Sequence, residues 1–305
     1  MTRIFFDDEI RAHLSVHDAI RWMGEAIDEH HESRMESPAR VAIDLAGPQL
    51  ILTTGRLKGS WYGYRAYGFA TGPSAEQVVV VHDETSGVVR AVSVGNELGP
   101  RRTGAIGGVA ADTLASPRAT TMAIIGTGPQ ALTQLWAISA VRPLQDVKVF
   151  SRDEVRREAF VQRAASVSSS PCRSVSSARE ALRGADIVVL ATTSLTPVID
   201  THWLEPNAYV TTLGPKQCGR SEFAADLTTA AIAIVTDSLA QIDAYDPPSV
   251  LIETSQRARV TTLGRMRADQ VEPLKQGITL FFSVGLAGTE VYLLDQLAKS
   301  VEAAP

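Results

Sequence analysis

The sequence predicts an α/β fold, with a doubly wound, Rossmann-type half preceded by an α+β segment. Three observations carry this expectation. The apolar run from Thr121 to Ile125 leads directly into Gly126-Thr127-Gly128-Pro129-Gln130-Ala131 and then into an apolar, helix-compatible stretch. A second strand-like run, VKVFSR, follows and completes a βαβ unit. From Arg118 onward, short continuous apolar runs alternate with helical segments, the pattern of parallel strands buried on both faces.

The turn residues have separate physical tasks. Gly126 permits the tight strand-to-helix turn, Gly128 leaves room for a pyrophosphate against the backbone, and Ala131 lets the helix pack close to the strand. The phosphates then rest on the unpaired N–H groups at the helix N-terminus. The motif therefore points to a bound NAD(P) dinucleotide.

In chain order, residues 1–115 read as the α+β domain. Val16 to Arg34 suits a helix with Asp18 in its first turn. LILTTGRL, YGYRAYGF, EQVVVVHD and GVVRAVSVG read as strands, the last two joined by the hairpin loop Asp83-Glu84-Thr85-Ser86-Gly87. GPRRTGAIGGVAADTLA reads as a helix of small residues, and Ser116-Pro117 marks the boundary. Residues 116–285 then form the dinucleotide-binding domain, with strands TTMAIIG, DVKVFSR, ADIVVLATT, AYVTTLG, AAIAIVTD and GITLFFSVG. The Ser-rich stretch SVSSSPCRSVSSAREAL reads as a loop with a strand fragment. A final helix, Val291 to Lys299 within residues 286–305, returns to the first domain.

Composition excludes several classes. The net charge of −5 is spread along the chain, so neither nucleic acid nor an anionic membrane is an expected partner. The two cysteines, Cys172 and Cys218, make no metal-ligand pattern and no disulfide framework, which fits a reducing cytoplasm. The start, MTRIFFDDEIRAHL, lacks a signal-peptide core, and no apolar run is long enough to span a bilayer. No metal is expected.

Ligands of open parallel sheets bind at the carboxyl ends of the strands. Here those ends carry Gly126, Thr127, Gly128, Pro129 and Gln130; Ser151 and Arg152; Ala191, Thr192, Thr193 and Ser194; Leu213 and Gly214; and Ser283. An acid ending the second strand would favour NAD through the ribose hydroxyls. This chain instead has Ser151-Arg152, a hydroxyl donor and a cation suited to the 2′-phosphate of NADP, and NADP is the expected cofactor. Asp153, if turned inward, would make NAD the alternative.

The segments SPARVA, YGYRAYG, DETSGVVRAV, RRTGA, IIGTGPQA, ADIVVLATTS, LGPKQCGRSEF and FFSVGLAGTEV, in this order and spacing, resemble the ornithine cyclodeaminase/mu-crystallin family over nearly the whole chain. The resemblance implies that the first domain is a substrate-binding and dimerisation domain with an open sheet, and that the protein is a homodimer. It implies that Arg40 and Arg102 grip a substrate carboxylate, and it adds Thr103 and Arg220 to the cofactor-binding set. Arginine offers a planar fork that matches a carboxylate.

Three departures from the family pattern shape the expected activity. Arg65 stands where the family has a lysine; it can bind a carboxylate but cannot shuttle protons near neutral pH. Lys216 stands where cyclodeaminases have an aspartate, and Ile51 falls near a family glutamate. Those acids would hold the side-chain ammonium of ornithine, and here one is a cation and the other apolar. The expected protein is therefore an NAD(P)H-dependent reductase of a small imino acid or ketimine, or the related amino-acid dehydrogenase. Arg40, Arg65 and Arg102 would dock the carboxylate, and Lys216 would be the proton donor or else a solvent-facing lysine. Two alternatives stay open: an ornithine cyclodeaminase with tightly held NAD, and a crystallin-like NADPH-binding protein without turnover.

Overall fold

A computed structural model describes residues 2–47, 49–68, 76–273 and 276–303. The chain forms two compact units, Met1–Ile106 with Gly285–Pro305, and Gly107–Val284.

The first unit carries β1 (Arg3–Phe5), α1 (Asp7–His13), α2 (Val16–His31), β2 (Met35–Glu36), β3 (Val41–Asp44), β4 (Gln49–Leu57), β5 (Trp61–Gly68), β6 (Gln77–Asp83) and β7 (Val89–Gly95). The sheet runs β1-β7-β6-β5-β4-β2, with β3 also paired to β4. Its pairs are antiparallel except β1 with β7. Phe69, the last residue of the expected strand YGYRAYGF, lies outside the described residues, as do Ala304 and Pro305 of the expected C-terminal helix. In the β6–β7 loop Asp83 accepts from the backbone N–H groups of Thr85 and Ser86, so a side chain closes the turn. The helix expected from Val16 to Arg34 stops at His31, and Ser33 turns left-handed at φ +60°.

The helix of small residues is α3 (Leu98–Leu114), and the division between the units falls inside it, not at Ser116-Pro117. The helix runs unbroken past that division. Gly107 lies so close to Gln134 that a Cβ would sit 2.0 Å from its Oε1. Arg142 closes the far end, donating to the carbonyls of Ala111 and Asp112 in the last turn and of Ala115 and Ser116 just beyond it.

The second unit alternates strands and helices: β8 (Thr121–Ile125), α4 (Pro129–Val141), β9 (Asp146–Phe150), α5 (Glu154–Ala164), β10 (Cys172–Ser174), α6 (Ala178–Leu182), β11 (Ile187–Leu190), β12 (Tyr209–Thr212), β13 (Lys216–Gln217), β14 (Arg220–Ser221), α7 (Asp226–Ala230), β15 (Ala233–Thr236), α8 (Leu239–Asp243), α9 (Val250–Glu253), β16 (Val260–Thr262), α10 (Leu263–Ala268) and β17 (Thr279–Phe282). The strand order β10-β9-β8-β11-β12-β17-β15-β16 is parallel throughout, a doubly wound sheet. Its strands are apolar because both faces are covered; Val188, Leu190, Val210, Leu280 and Phe282 lie in the core with Phe223. β13 and β14 form a separate antiparallel hairpin.

The last helix, α11 (Thr289–Glu302), belongs to the first unit and covers one face of its sheet. Alternate residues of β5 meet it in turn. Trp61 stacks edge-on against Tyr292, a Cβ on Gly63 would strike Val291, and Arg65 bonds Glu290. The opposite face carries Tyr62 and Tyr64, exposed to 40% and 38%, and Ile4 at 50%. Among the described residues no helix is long and apolar enough to cross a membrane.

Candidate active site

In the second unit, a cleft of about 480 Å³ opens at the carboxyl ends of β8, β9 and β11. Gly126, Thr127, Gly128, Ser151, Arg152, Ala191, Thr192, Thr193 and Ser194 all line it. Gly126 has φ +117°, and a Cβ there would lie 2.2 Å from the Ala191 carbonyl oxygen, so the turn requires glycine. A Cβ on Gly128 would meet nothing within 4 Å: the space beside it is open at the N-cap of α4, where unpaired N–H groups favour phosphate. Pro129 starts α4 and Gln130 follows, its Oε1 buried with no hydrogen-bond partner. These features fit a dinucleotide pyrophosphate.

At the end of β9, Arg152 is joined in the cleft lining by Arg156, which the sequence reading did not single out. Asp153 does not turn inward. Its carboxylate accepts from the Arg156 backbone N–H at 3.0 Å and caps α5. Arg157 donates to the Ser151 carbonyl at 2.6 Å, holding that turn.

Leu213, Gly214 and Ser283 lie just beyond β12 and β17. The Gly214 N–H donates to the buried carboxylate of Glu222, which also accepts from the N–H and hydroxyl of Thr192. Burial pushes the Glu222 pKa up, and the Lys216 charge with the Thr192 and Gly214 donors pulls against it. Lys216 is not a solvent-facing loop residue. It is 2% exposed, and its ammonium donates to the Thr212 carbonyl at 3.0 Å and to the Ser283 carbonyl. Arg220 is exposed on β14 and is absent from the cleft lining.

The first unit brings together Arg65 and Arg102. Both donate to the same oxygen of Glu290, Arg65 at 2.6 Å. Arg65 also donates through Nε to Gln77 at 2.9 Å and lies 4.1 Å from the Tyr67 ring centroid. Glu290 is fully buried. Burial alone would raise its pKa, but the guanidinium charges of Arg102 and Arg65 outweigh this and hold it below the ordinary carboxylate value. Arg102 Nε and Glu290 Oε2 are buried without hydrogen-bond partners. Thr53 pairs with Arg65 across β4 and β5, and its hydroxyl is also buried and unpartnered. Ile51 is 3% exposed opposite Tyr67. Arg40 is half-buried just before β3, and Thr103 lies in α3, its hydroxyl on the Gly99 carbonyl.

Sequence reasoning missed Glu290 and Glu222. Each had one available signal: a lone acid inside an otherwise apolar or small-residue run, GTEVYLL and SEFAA.

The family model described as the ornithine cyclodeaminase/mu-crystallin family matches residues 6–304. A Δ1-pyrroline-2-carboxylate reductase of Bacillus cereus is 31% identical over 226 residues, covering 72% of this chain and 69% of that protein. The chain spans about half the length of two further relatives it matches, 44% of one from Rhizobium meliloti and 51% of one from Sinorhizobium fredii. Among solved structures, Thermococcus litoralis Δ1-pyrroline-2-carboxylate reductase in complex with NADH and L-proline superposes with TM-score 0.89 at 23% identity, over 98% of each chain. An archaeal alanine dehydrogenase dimer with bound NAD gives 0.86 at 23% identity, over 99% of this chain and 96% of that one. These likenesses show the fold.

Proposed function

The chain belongs to the ornithine cyclodeaminase/mu-crystallin family, and on that premise we propose that it is an NAD(P)H-dependent reductase of a small imino acid or ketimine. One observation carries the choice within the family: Arg65 and Arg102 share Glu290, so two guanidinium charges face one buried carboxylate. The cluster keeps one net positive charge. It suits an anionic substrate group and opposes an ammonium, and the one acid present is already neutralised. With Ile51 apolar and Lys216 a cation, the described residues offer no free carboxylate at the positions where the resemblance expects the ornithine tail to be held.

In this reading Arg102 and Arg65, with Arg40, dock the substrate carboxylate and orient the C=N bond. A bound NAD(P)H supplies the hydride. The protein contributes orientation and positive charge near the carboxylate. Cyclic imines protonate near neutral pH, so the step does not require a strong general acid.

NADP is the proposed cofactor. Ser151, Arg152 and Arg156 stand at the cleft beside β9, while Asp153 is committed to capping α5. Gly126 to Gln130, Ala191 to Ser194, Leu213, Gly214, Thr103, Arg220 and Ser283 complete the proposed binding set. The protein is proposed to be a cytoplasmic homodimer, formed through the sheet face that carries Tyr62, Tyr64 and Ile4.

The test is a panel of cyclic imine carboxylates and of 2-oxo acids with ammonia or methylamine, followed by NADPH and NADH absorbance. The expected result is stoichiometric oxidation with at least one imine. Ammonia release from ornithine with catalytic NAD would indicate a lyase, and binding without oxidation would indicate a carrier.

A further inference from the structure

The hairpin Lys216–Ser221 carries two buried residues of opposite charge at the carboxyl edge of the sheet: Lys216, and Glu222 immediately after β14. Their partners are complementary. The Lys216 ammonium takes carbonyl oxygens, Thr212 at the end of β12 and Ser283 after β17. The Glu222 carboxylate takes donors: the N–H and hydroxyl of Thr192 after β11, each at 2.8 Å, and the Gly214 N–H after β12 at 2.6 Å. Three strand ends are thus gripped by one hairpin. The backbone adds to the grip, because Val198 N–H donates to the Glu222 carbonyl and Ser221 N–H to the Leu195 carbonyl. Thr192 and Val198 both line the cleft. Gly214 is packed so closely that a Cβ would lie 2.3 Å from the Thr192 carbonyl oxygen and 2.5 Å from the Glu222 carboxylate carbon.

We propose that Glu222 and Lys216 are positioning residues, a charge staple that holds the turns after β11, β12 and β17 in the conformation that receives the dinucleotide. The inference rests on the cleft being a dinucleotide site. It gives Lys216 a task other than proton donation, since two of its three N–H donors are spent on backbone carbonyls. It also explains why a carboxylate and not an amide stands at Glu222. Three donors converge on its two oxygens, and the NH2 of a glutamine would face an N–H.

The experiment titrates NADPH and NADH into wild type, Glu222→Gln, Lys216→Met and the double variant by fluorescence, with a thermal melt of each. Each single change is expected to weaken binding of the preferred dinucleotide about tenfold or more, because it leaves buried groups unpaired. The double variant is expected to lose less than the sum, since both residues hold β12. Unchanged dinucleotide affinity in folded variants overturns the staple. Lys216→Met with intact affinity and lost turnover would make Lys216 a proton donor instead. Wild type that binds neither dinucleotide refutes the cofactor reading, and the staple is then judged by amide exchange. The same measurement decides if a variant fails to fold. Wild-type amides of Thr192 and Gly214 are expected to exchange slowly, and exchange as fast as in an open loop overturns the proposal.

Discussion

Arg65 Nη1 donates to Glu290 Oε1 at 2.6 Å, joining a strand and a helix 225 positions apart in the chain. With Arg102 on the same oxygen, the first unit holds a buried cation–anion–cation cluster. Breaking such a cluster leaves uncompensated charge behind. Glu290→Gln is expected to destabilise the protein by about 3–5 kcal/mol at neutral pH. The penalty depends on pH in a defined direction. The folded-state pKa of Glu290 is lowered, so its contribution is complete above the ordinary carboxylate pKa and is lost as pH falls through the lowered value. Denaturant midpoints of wild type and Glu290→Gln should therefore converge in acid. A gap that stays constant down to acid pH would remove the ion cluster as its cause.

Arg102→Ala is expected to abolish most turnover while leaving cofactor binding in place. Losing one partner of a buried, hydrogen-bonded charge pair costs about 2–5 kcal/mol. Steady-state kinetics with a responsive imine, beside a dinucleotide titration, separates the two effects. Near-normal kcat/KM in this variant would put the substrate elsewhere.

Arg152→Glu is expected to reverse the preference for NADPH over NADH. The substitution replaces attraction for a 2′-phosphate with repulsion and adds an acceptor for ribose hydroxyls. Fluorescence titration of both dinucleotides checks it. A wild type that already prefers NADH contradicts the reading of Ser151 and Arg152.

Light scattering at micromolar concentration should give twice the chain mass. Tyr64, 38% exposed, pairs with Val80 in β6, Val80 with Val92 in β7, and Val92 with Ile4 in β1, an aromatic and aliphatic row on the face away from α11. Tyr64→Glu should shift the mass toward the monomer. A monomeric wild type would mean that this face needs no cover.

L-Ornithine is expected to be a poor substrate. Cyclodeamination needs its side-chain ammonium held close and able to give up a proton, a task for free carboxylates. The buried carboxylate of Glu290 already faces two guanidinium groups, which share its Oε1, so its charge is neutralised. The assay supplies ornithine with catalytic NAD and measures ammonia and proline; efficient proline formation would sink the argument.

The parallel sheet and the turn from Gly126 to Ala131 were legible in the sequence because both rest on local patterns: apolar runs of strand length, and glycines that backbone geometry demands. The short strands β1, β2, β3 and β16 were not, since two to four residues carry too little periodicity to read. Arg65 and Arg102 were recognisable as carboxylate-binding types, but their tie to Glu290 was hidden. The sequence predicts that the final helix returns to the first domain, but its seat against β5 was not legible; Gly55 and Gly63, which let Gly288 and Val291 approach the sheet, show this only in three dimensions. Lys216 illustrates the same limit. In sequence it reads as a proton donor or a solvent-facing lysine, and its ammonium is held instead by the carbonyls of Thr212, the last residue of β12, and of Ser283, just after β17 and far along the chain.

The cap that Asp153 places on α5 has an evolutionary consequence. Asp153 is the acidic side chain nearest in sequence to the turn at the end of β9, and it cannot migrate toward the ribose without uncapping its helix, at a cost of about 1 kcal/mol. On the proposed NADP reading, a change of dinucleotide preference through this residue would be coupled to the loss of that cap. If NADP is the coenzyme as proposed, a switch to the unphosphorylated form would come more cheaply from a new acid at Ser151 or Arg152, whereas Asp153→Asn would keep the helix intact and change the preference little.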